Sequence, residues 1–294
     1  MRLSLGTAQF GLDYGLFNKT GKLSQVEIER VLNFCIKVGI NKIDTANSYG
    51  NSIPAIQNFD LSSYFITNKI NISDEHLSCN NLLMSQIGKQ KKFFNTSKEY
   101  NLLIHNPGFL DNKEKQTKAL DQLIKCKSEG LIDKIGISIY SPSDLDNFFC
   151  LEAIDIVQTP FNLFDIRIKS SGWLDILKMN NIKVQARSIF LQGLILCPID
   201  DIPLNFLKFI NQFTHLDNVC TNMQLSRLEL ALYFVLSFEE FDDIVVGIDS
   251  MEQLIKIVQI ADTKRDIFQS DLINDFMYLN SLDGHDLLID PRRW

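Results

Sequence analysis

Short apolar runs alternate with longer amphipathic stretches from one end of this chain to the other, and no other feature restricts its fold so tightly. Strand-like runs fall at residues 2–5, 40–44, 64–68, 101–104, 134–138, 155–158, 181–186 and 244–246. Helical stretches lie between them at 25–38, 75–87, 113–128, 143–149, 172–179 and 224–237, and another, 251–260, follows the last run. In the first helix Val31, Leu32, Cys35 and Val38 recur at helical spacing, Ser24 and Glu27 form a capping box, and Gly39 closes the element. Strands separated by helices pair in parallel through crossovers. Eight such units, with no linker or low-complexity block between them, account for essentially all 294 residues. That is the arithmetic of an α/β fold closed as a (β/α)8 TIM barrel, a single domain over 1–294. The competing architecture is an open doubly wound sheet, whose dinucleotide-binding form carries G-x-G-x-x-G after the first strand. Here that turn reads Gly6-Thr7-Ala8-Gln9-Phe10-Gly11, which has the wrong spacing.

Composition narrows the function classes. There are 29 Lys and Arg against 36 Asp and Glu, a net charge of -7, and no basic stripe, so no nucleic-acid partner is expected. No apolar stretch approaches a membrane span, and the Gly-interrupted N-terminal run is too short for a signal-peptide core. The expectation is a cytoplasmic protein with no membrane partner. Six scattered cysteines without a C-x-x-C pair fit neither a disulfide framework nor a zinc site, and no metal is expected.

In a barrel, chemistry belongs at the C-terminal ends of the strands. The second strand ends at Asp44, with Tyr49 just beyond; the third ends around Lys69 and the fourth at His105. Singly, an Asp after a strand is usually a turn former, a strand-end Lys is usually solvated, and a lone His or Tyr usually packs. Together on neighbouring strands they have a chemical logic. A phenol near pKa ~10 is a weak acid for carbonyl reduction. An ammonium beside it stabilises the phenolate, a carboxylate holds the ammonium, and an imidazole can orient a substrate oxygen.

These segments resemble the aldo-keto reductase family, nicotinamide-dependent oxidoreductases built on the (β/α)8 barrel. The likeness runs through Gly6-Thr7-Ala8-x-x-Gly11, Asp44-Thr45-Ala46-x-x-Tyr49-Gly50, Lys69, and His105 in Leu-Leu-Ile-His-Asn-Pro. It continues through Gly136-Ile137-Ser138, Val157-Gln158-x-Pro160-x-Asn162, Ala186-Arg187-Ser188 and Val245-Val246-Gly247, and so covers nearly the whole chain in order. The resemblance implies Tyr49 as general acid, Lys69 and Asp44 as the pair that tunes it, and His105 as the residue that orients the substrate. It implies that Ser138 and Gln158 hold the nicotinamide carboxamide, with Asn162 supporting strand-end geometry. Arg187, Ser188, Phe190, Gln192 and Gly193 would form the pyrophosphate loop, and Gly247, Asp249, Ser250 and Gln253 the turn near the adenosine. The implied cofactor is NADP(H) or NAD(H), and the implied partner a small-molecule carbonyl substrate. Oligomeric state is left open. A redox-neutral epimerase or isomerase that retains its nicotinamide, and a non-catalytic cofactor-binding relative, are the alternatives.

The chain also departs from the family pattern. Arg187 stands where an aromatic residue often stacks on the nicotinamide, and Asn51-Ser52-Ile53-Pro54 replaces the usual small residue and Glu. Only residues 50–68 separate Tyr49 from Lys69, so the second helix is expected to be truncated. Asp249 and Glu252 stand where a 2'-phosphate-binding cation is common, which weighs against strong NADP preference unless Lys256 or Arg265 reaches it. Arg187 has two readings, a partner for an anionic substrate group or one half of a salt bridge. Arg292, Arg293 and Trp294 have two as well, a wall of the substrate pocket or a disordered end. An acidic or sugar-like carbonyl compound is the substrate these cations suggest.

Overall fold

The structure, a computed structural model, describes residues 1–18, 20–79, 81–94, 97–263, 276 and 284–294. The eight apolar runs form β1 (Leu3–Gly6), β2 (Lys42–Asp44), β3 (Phe65–Ile70), β4 (Glu99–Ile104), β5 (Lys134–Ser138), β6 (Ile156–Pro160), β7 (Lys183–Arg187) and β8 (Asp243–Val246). They close in sequence order into one parallel barrel, with Leu3 of β1 registered on Ile244 of β8. The expected fold is the one found.

Helices coat the barrel where amphipathic spacing and caps coincide. Gln25–Lys37 starts at the capping box of Ser24 and Glu27, and Met251–Asp262 starts at Ser250, whose side chain accepts from the Gln253 amide. Three expectations need correction. The helix expected over 75–87 is two, Asp74–Ser78 and Leu82–Lys91, because Ser78 Oγ turns back onto the Asp74 and Glu75 carbonyls and Cys79 is extended. The helix expected at 224 begins at Arg227, behind the cap of Ser226; Gln224 is instead the left-handed end of another helix, Ile210–Met223. That helix was not expected, since it has no side-chain N-cap and grows out of the 3-10 turn Leu204–Phe209. The stretch expected as a helix over 143–149 forms only Ser143–Asp146.

The barrel interior is polar along part of its length. Gln158 on β6 donates to Asp44 Oδ1 on β2 at 2.7 Å, and Gln185 on β7 reaches Thr67 Oγ1 on β3 at 3.4 Å. Each bond joins strands on opposite sides of the barrel, so these side chains cross its middle. Gln158 also donates to Gln185 (3.0 Å), Gln185 to Asp243 (3.0 Å), and Lys42 pairs with Asp243 where β2 and β8 begin. Buried polar groups are satisfied here by one another.

Outside the barrel the core is mainly apolar, with single buried polar side chains such as Gln116 and Gln212. Phe161, which is fully buried, packs on Phe234, Phe238 and Phe241 at centroid distances of 5.4, 4.8 and 4.6 Å. This cluster fastens the chain after β6 to the helix Arg227–Ser237. Phe161→Ala is expected to cost about 3–5 kcal/mol of unfolding free energy, read from the denaturant midpoint; a loss below about 1 kcal/mol would show that the cluster collapses into the void.

Candidate active site

Local backbone constraints bring the four strand-end residues together. Asp44 is the last residue of β2 and Lys69 the penultimate residue of β3. The two strands are paired, with Asp44 opposite Thr67. Lys69 Nζ, wholly buried, donates to Asp44 Oδ2 at 2.6 Å and to the Thr45 carbonyl at 3.0 Å. His105 follows β4, held by its amide on the Ile70 carbonyl at 2.8 Å. Tyr49 lies in the tight turn before the helix Ser52–Ile56, which has five residues, in keeping with the short 50–68 connection. Its ring is 5.1 Å from Lys69 Nζ and 6.1 Å from the His105 ring, the two rings crossing at 83°.

Glycine makes this turn possible. A Cβ on Gly11 would lie 1.8 Å from the Tyr49 carbonyl oxygen and 2.4 Å from the Ser52 amide. A Cβ on Gly50, at φ +53°, would lie 2.6 Å from the Gly11 carbonyl oxygen. The two glycines of separate motifs are thus one contact that seats Tyr49. Thr7, Thr45 and Ser52 join beside it in a buried hydroxyl cluster, with Thr7 Oγ1 donating to the Asp44 carbonyl at 3.1 Å.

Burial sets the protonation states. The His105 imidazole is pushed down to about 3 by desolvation, with Lys69 and Arg187 adding repulsion, so it is neutral at neutral pH. Burial in the cavity wall, aided by the Asp44 carboxylate, raises the Tyr49 phenol above its ordinary value, although Arg187 pulls the other way. Burial also lowers Lys69, opposed by Asp44. Tyr14, absent from the sequence reading, is raised to about 12, first by burial and then by Tyr49.

Tyr49, His105 and Asp44 line a cavity of about 660 Å³ that also takes in Arg187, Ser188, Phe190, Gln192, Gly193, Gly247, Asp249 and Gln253. Ser138 and Gln158 lie beneath it, buried, with Ser138 Oγ donating to Gln158 Oε1 at 3.4 Å. Asn162 Nδ2 donates to the Ser188 carbonyl at 3.0 Å and so supports the end of β7, as expected. The loop it steadies is strained: Ser188, Leu191 and Gln192 all have positive φ, at 57°, 49° and 54°. Asp249 accepts from Gln9 and Gln253, while Ser250 caps the helix Met251–Asp262 and is outside the cavity lining. Lys256 is likewise absent from that lining, and Arg265 lies outside the described residues.

The C-terminal segment does wall the pocket. Pro291 and Arg292 line it, and Trp294 packs edge-on against Phe206 at 5.1 Å. Sequence reasoning also missed Tyr140, which follows β5 and lies under both Arg187 and Arg292, at 4.7 and 3.9 Å from the ring centre. A polar aromatic two residues past a strand end was the available signal. Among the described residues, no helix is long and apolar enough to cross a membrane, and no group of three or more His, Cys, Asp or Glu is placed to hold a metal ion.

A (β/α)8 barrel whose strand ends gather Asp44, Tyr49, Lys69 and His105 at one cavity defines a narrow class of protein. Residues 2–276 match the model of the Aldo/keto reductase family, and the chain belongs to that family. It is 26% identical over 173 residues to an uncharacterized oxidoreductase, YqkF, of Bacillus subtilis; the match covers 55% of this chain and about half (54%) of that protein. Its fold is similar to that of aldo-keto reductase AKR11C1 from Bacillus halodurans in its holo form, with TM-score 0.73, 16% identity, and 97% and 94% of the two chains covered. It is also similar to the thermostable aldo-keto reductase Tm1743, with TM-score 0.67, 21% identity and 95% of each chain covered.

Two predictions follow from the buried groups. Lys69→Met should cost about 3–5 kcal/mol, because it leaves the Asp44 carboxylate buried and uncompensated; adding Asp44→Asn should recover part of that in urea unfolding. A single variant as stable as the parent would contradict the buried pair. For His105, the unfolded imidazole binds a proton near pH 6.5 while the folded one stays neutral to about 3. Stability therefore falls as pH drops through that window. His105→Gln is expected to lose less stability than the parent between pH 7 and 4.5, and equal losses would show that the imidazole is not held neutral.

Proposed function

We propose that this protein is an NAD(P)H-dependent oxidoreductase that reduces an aldehyde or ketone to the alcohol, with Tyr49 as general acid. The observation that carries this reading is the meeting of Tyr49, His105 and Asp44 at one cavity, with the Lys69 ammonium buried behind them, bonded to Asp44 and 5.1 Å from the centre of the Tyr49 ring.

The phenol is protonated throughout the neutral range, as a proton donor must be. As its proton moves to the developing alkoxide, negative charge appears beside the Lys69 ammonium, whose stabilising effect is largest at that moment. Asp44 keeps Lys69 charged and in place. His105, being neutral, orients the carbonyl by a hydrogen bond rather than by charge. Ser48 Oγ lies 3.3 Å from His105 Nδ1, and a hydroxyl donating there leaves the imidazole proton on Nε2, free to bind substrate oxygen.

When bound, the nicotinamide supplies hydride to the carbonyl carbon. Ser138 and Gln158 hold its carboxamide in this reading. Both Gln158 Nε2 protons are already given to Asp44 and Gln185, so its Oε1, which also accepts from Ser138 Oγ at 3.4 Å, is the atom with a lone pair left for a donor. In this reading the pyrophosphate would lie along the loop Ser188, Phe190, Gln192 and Gly193 and the turn Gly247, Asp249 and Gln253, where the helix Met251–Asp262 begins behind its Ser250 cap; Arg187 opens that loop but turns its side chain away, toward Tyr140. Arg187 and Arg292 are the cations among the described residues that line the cavity, and Asp201 and Asp249 line it too. That donor set suits NAD(H) at least as well as NADP(H).

Tyr49→Phe keeps the ring and removes the proton. It is expected to lower kcat by 10²-fold or more in a spectrophotometric assay of NAD(P)H oxidation over a panel of aldehydes, while fluorescence titration still detects cofactor binding. Undiminished turnover would sink the assignment.

A further inference from the structure

Among the described residues, Arg187 is the one cation around the cavity without a carboxylate partner. Lys69 is neutralised by Asp44, and Arg292 is anchored by Asp290 through two bonds of 2.8 and 2.7 Å. No carboxylate among the described residues approaches Arg187 within ion-pair distance; it donates instead to the Ile139 carbonyl at 2.8 Å and to Ser188 Oγ at 3.0 Å. Its Nε is buried with no hydrogen-bond partner among the described residues. A buried donor left unpaired is costly, and on a guanidinium it is half of a fork shaped for an oxyanion.

The direction of the side chain says which anion. Arg187 sits on β7, between β6 and β8, yet it reaches past β6 to the residues after β5, bonding Ile139 and lying over Tyr140. That carries its charge away from the β8 turn at Gly247–Gln253 and toward Arg292, which lies over the same ring. Here the main cavity meets a second one of about 400 Å³, and Tyr140, Arg292, His105 and Ser48 border both. Both arginines reach the Tyr140 ring and line the one cavity, so an anion held by either stands at the His105 end, where a substrate carbonyl would be.

We propose that Arg187 and Arg292 form a subsite for a carboxylate carried by the substrate, so that the preferred substrates are oxo acids, bound by the acid group at Tyr140 with the carbonyl at Tyr49. The proposal rests on the carbonyl-reductase reading above. The same oxyanion chemistry could serve a cofactor phosphate, and the experiment separates the two sources.

The parent, Arg187→Met and Arg292→Met are assayed with 4-carboxybenzaldehyde and with its methyl ester, using NADH and NADPH. The parent is expected to favour the acid over the ester at least tenfold in kcat/KM. In each variant that ratio is expected to fall at least tenfold, whatever the overall loss of rate, since general damage cancels in the ratio. Arg187→Lys, which keeps the charge without the fork, is expected to fall between. A parent without acid preference, or a ratio unchanged in the variants, overturns the subsite. So does an Arg187→Met variant that loses cofactor affinity by fluorescence titration while its ratio stands. If the parent reduces neither aldehyde, the reductase reading fails, and calorimetry with 4-(hydroxymethyl)benzoate tests the subsite by itself. Binding lost in both methionine variants then supports it, and no binding to the parent overturns it.

Discussion

The ion pair between Lys69 and Asp44 is the constraint to which the rest of the active end conforms. Two charges taken wholly out of water lose several kcal/mol of hydration each, and only near-ideal partners make that tolerable. Asp44 therefore has both carboxylate oxygens engaged, one by Lys69 and the other by Gln158. Gln158 in turn is held by Gln185, and Gln185 by Asp243, which meets Lys42 where the strands begin. A chain of side chains thus crosses the barrel lengthwise, and the ammonium next to Tyr49 is positioned by residues from four other strands. Each link is backed by rigid sheet rather than by loop.

The same burial that demands this pairing makes the mouth electrostatically selective. His105 is kept neutral by desolvation, so it contributes a hydrogen bond but no charge. Tyr49 is kept protonated, and Lys69 is balanced. The Arg187 guanidinium adds its field at Tyr49 and His105, where it pulls both downward, against burial at Tyr49 and with it at His105. A protein with a net charge of -7 thus still carries two arginines on the wall of this cavity; overall charge and site charge are independent quantities.

The fold was legible because alternation of strand and helix is a statement about which faces must be buried, and β1 to β8 each fall within or beside a short apolar run. The helix Ile210–Met223 escaped because nothing caps it by side chain, and 75–87 forms two elements and not one because the Ser78 hydroxyl bonds back to the carbonyls of the preceding turn. Asp44, Tyr49, Lys69 and His105 were legible as strand-end polar residues in the right order. Tyr140 and Tyr14 were not, since each earns its place from what lies across the cavity, and sequence spacing carries no information about that.

Gly11 and Gly50 illustrate where the two kinds of information meet. As sequence they are single members of two motifs, separated by 38 intervening residues (12–49). In space they are one contact, with the Gly11 Cα against the Tyr49 carbonyl and Gly50 folded back on the Gly11 carbonyl. A side chain on either would push the tyrosine turn off the first helical turn, Ala8–Gly11, and so away from Lys69. The short helix Ser52–Ile56 has little bulk of its own with which to restore that position. The placement of the proton donor therefore rests on the absence of two methyl groups as much as on the ion pair beneath it.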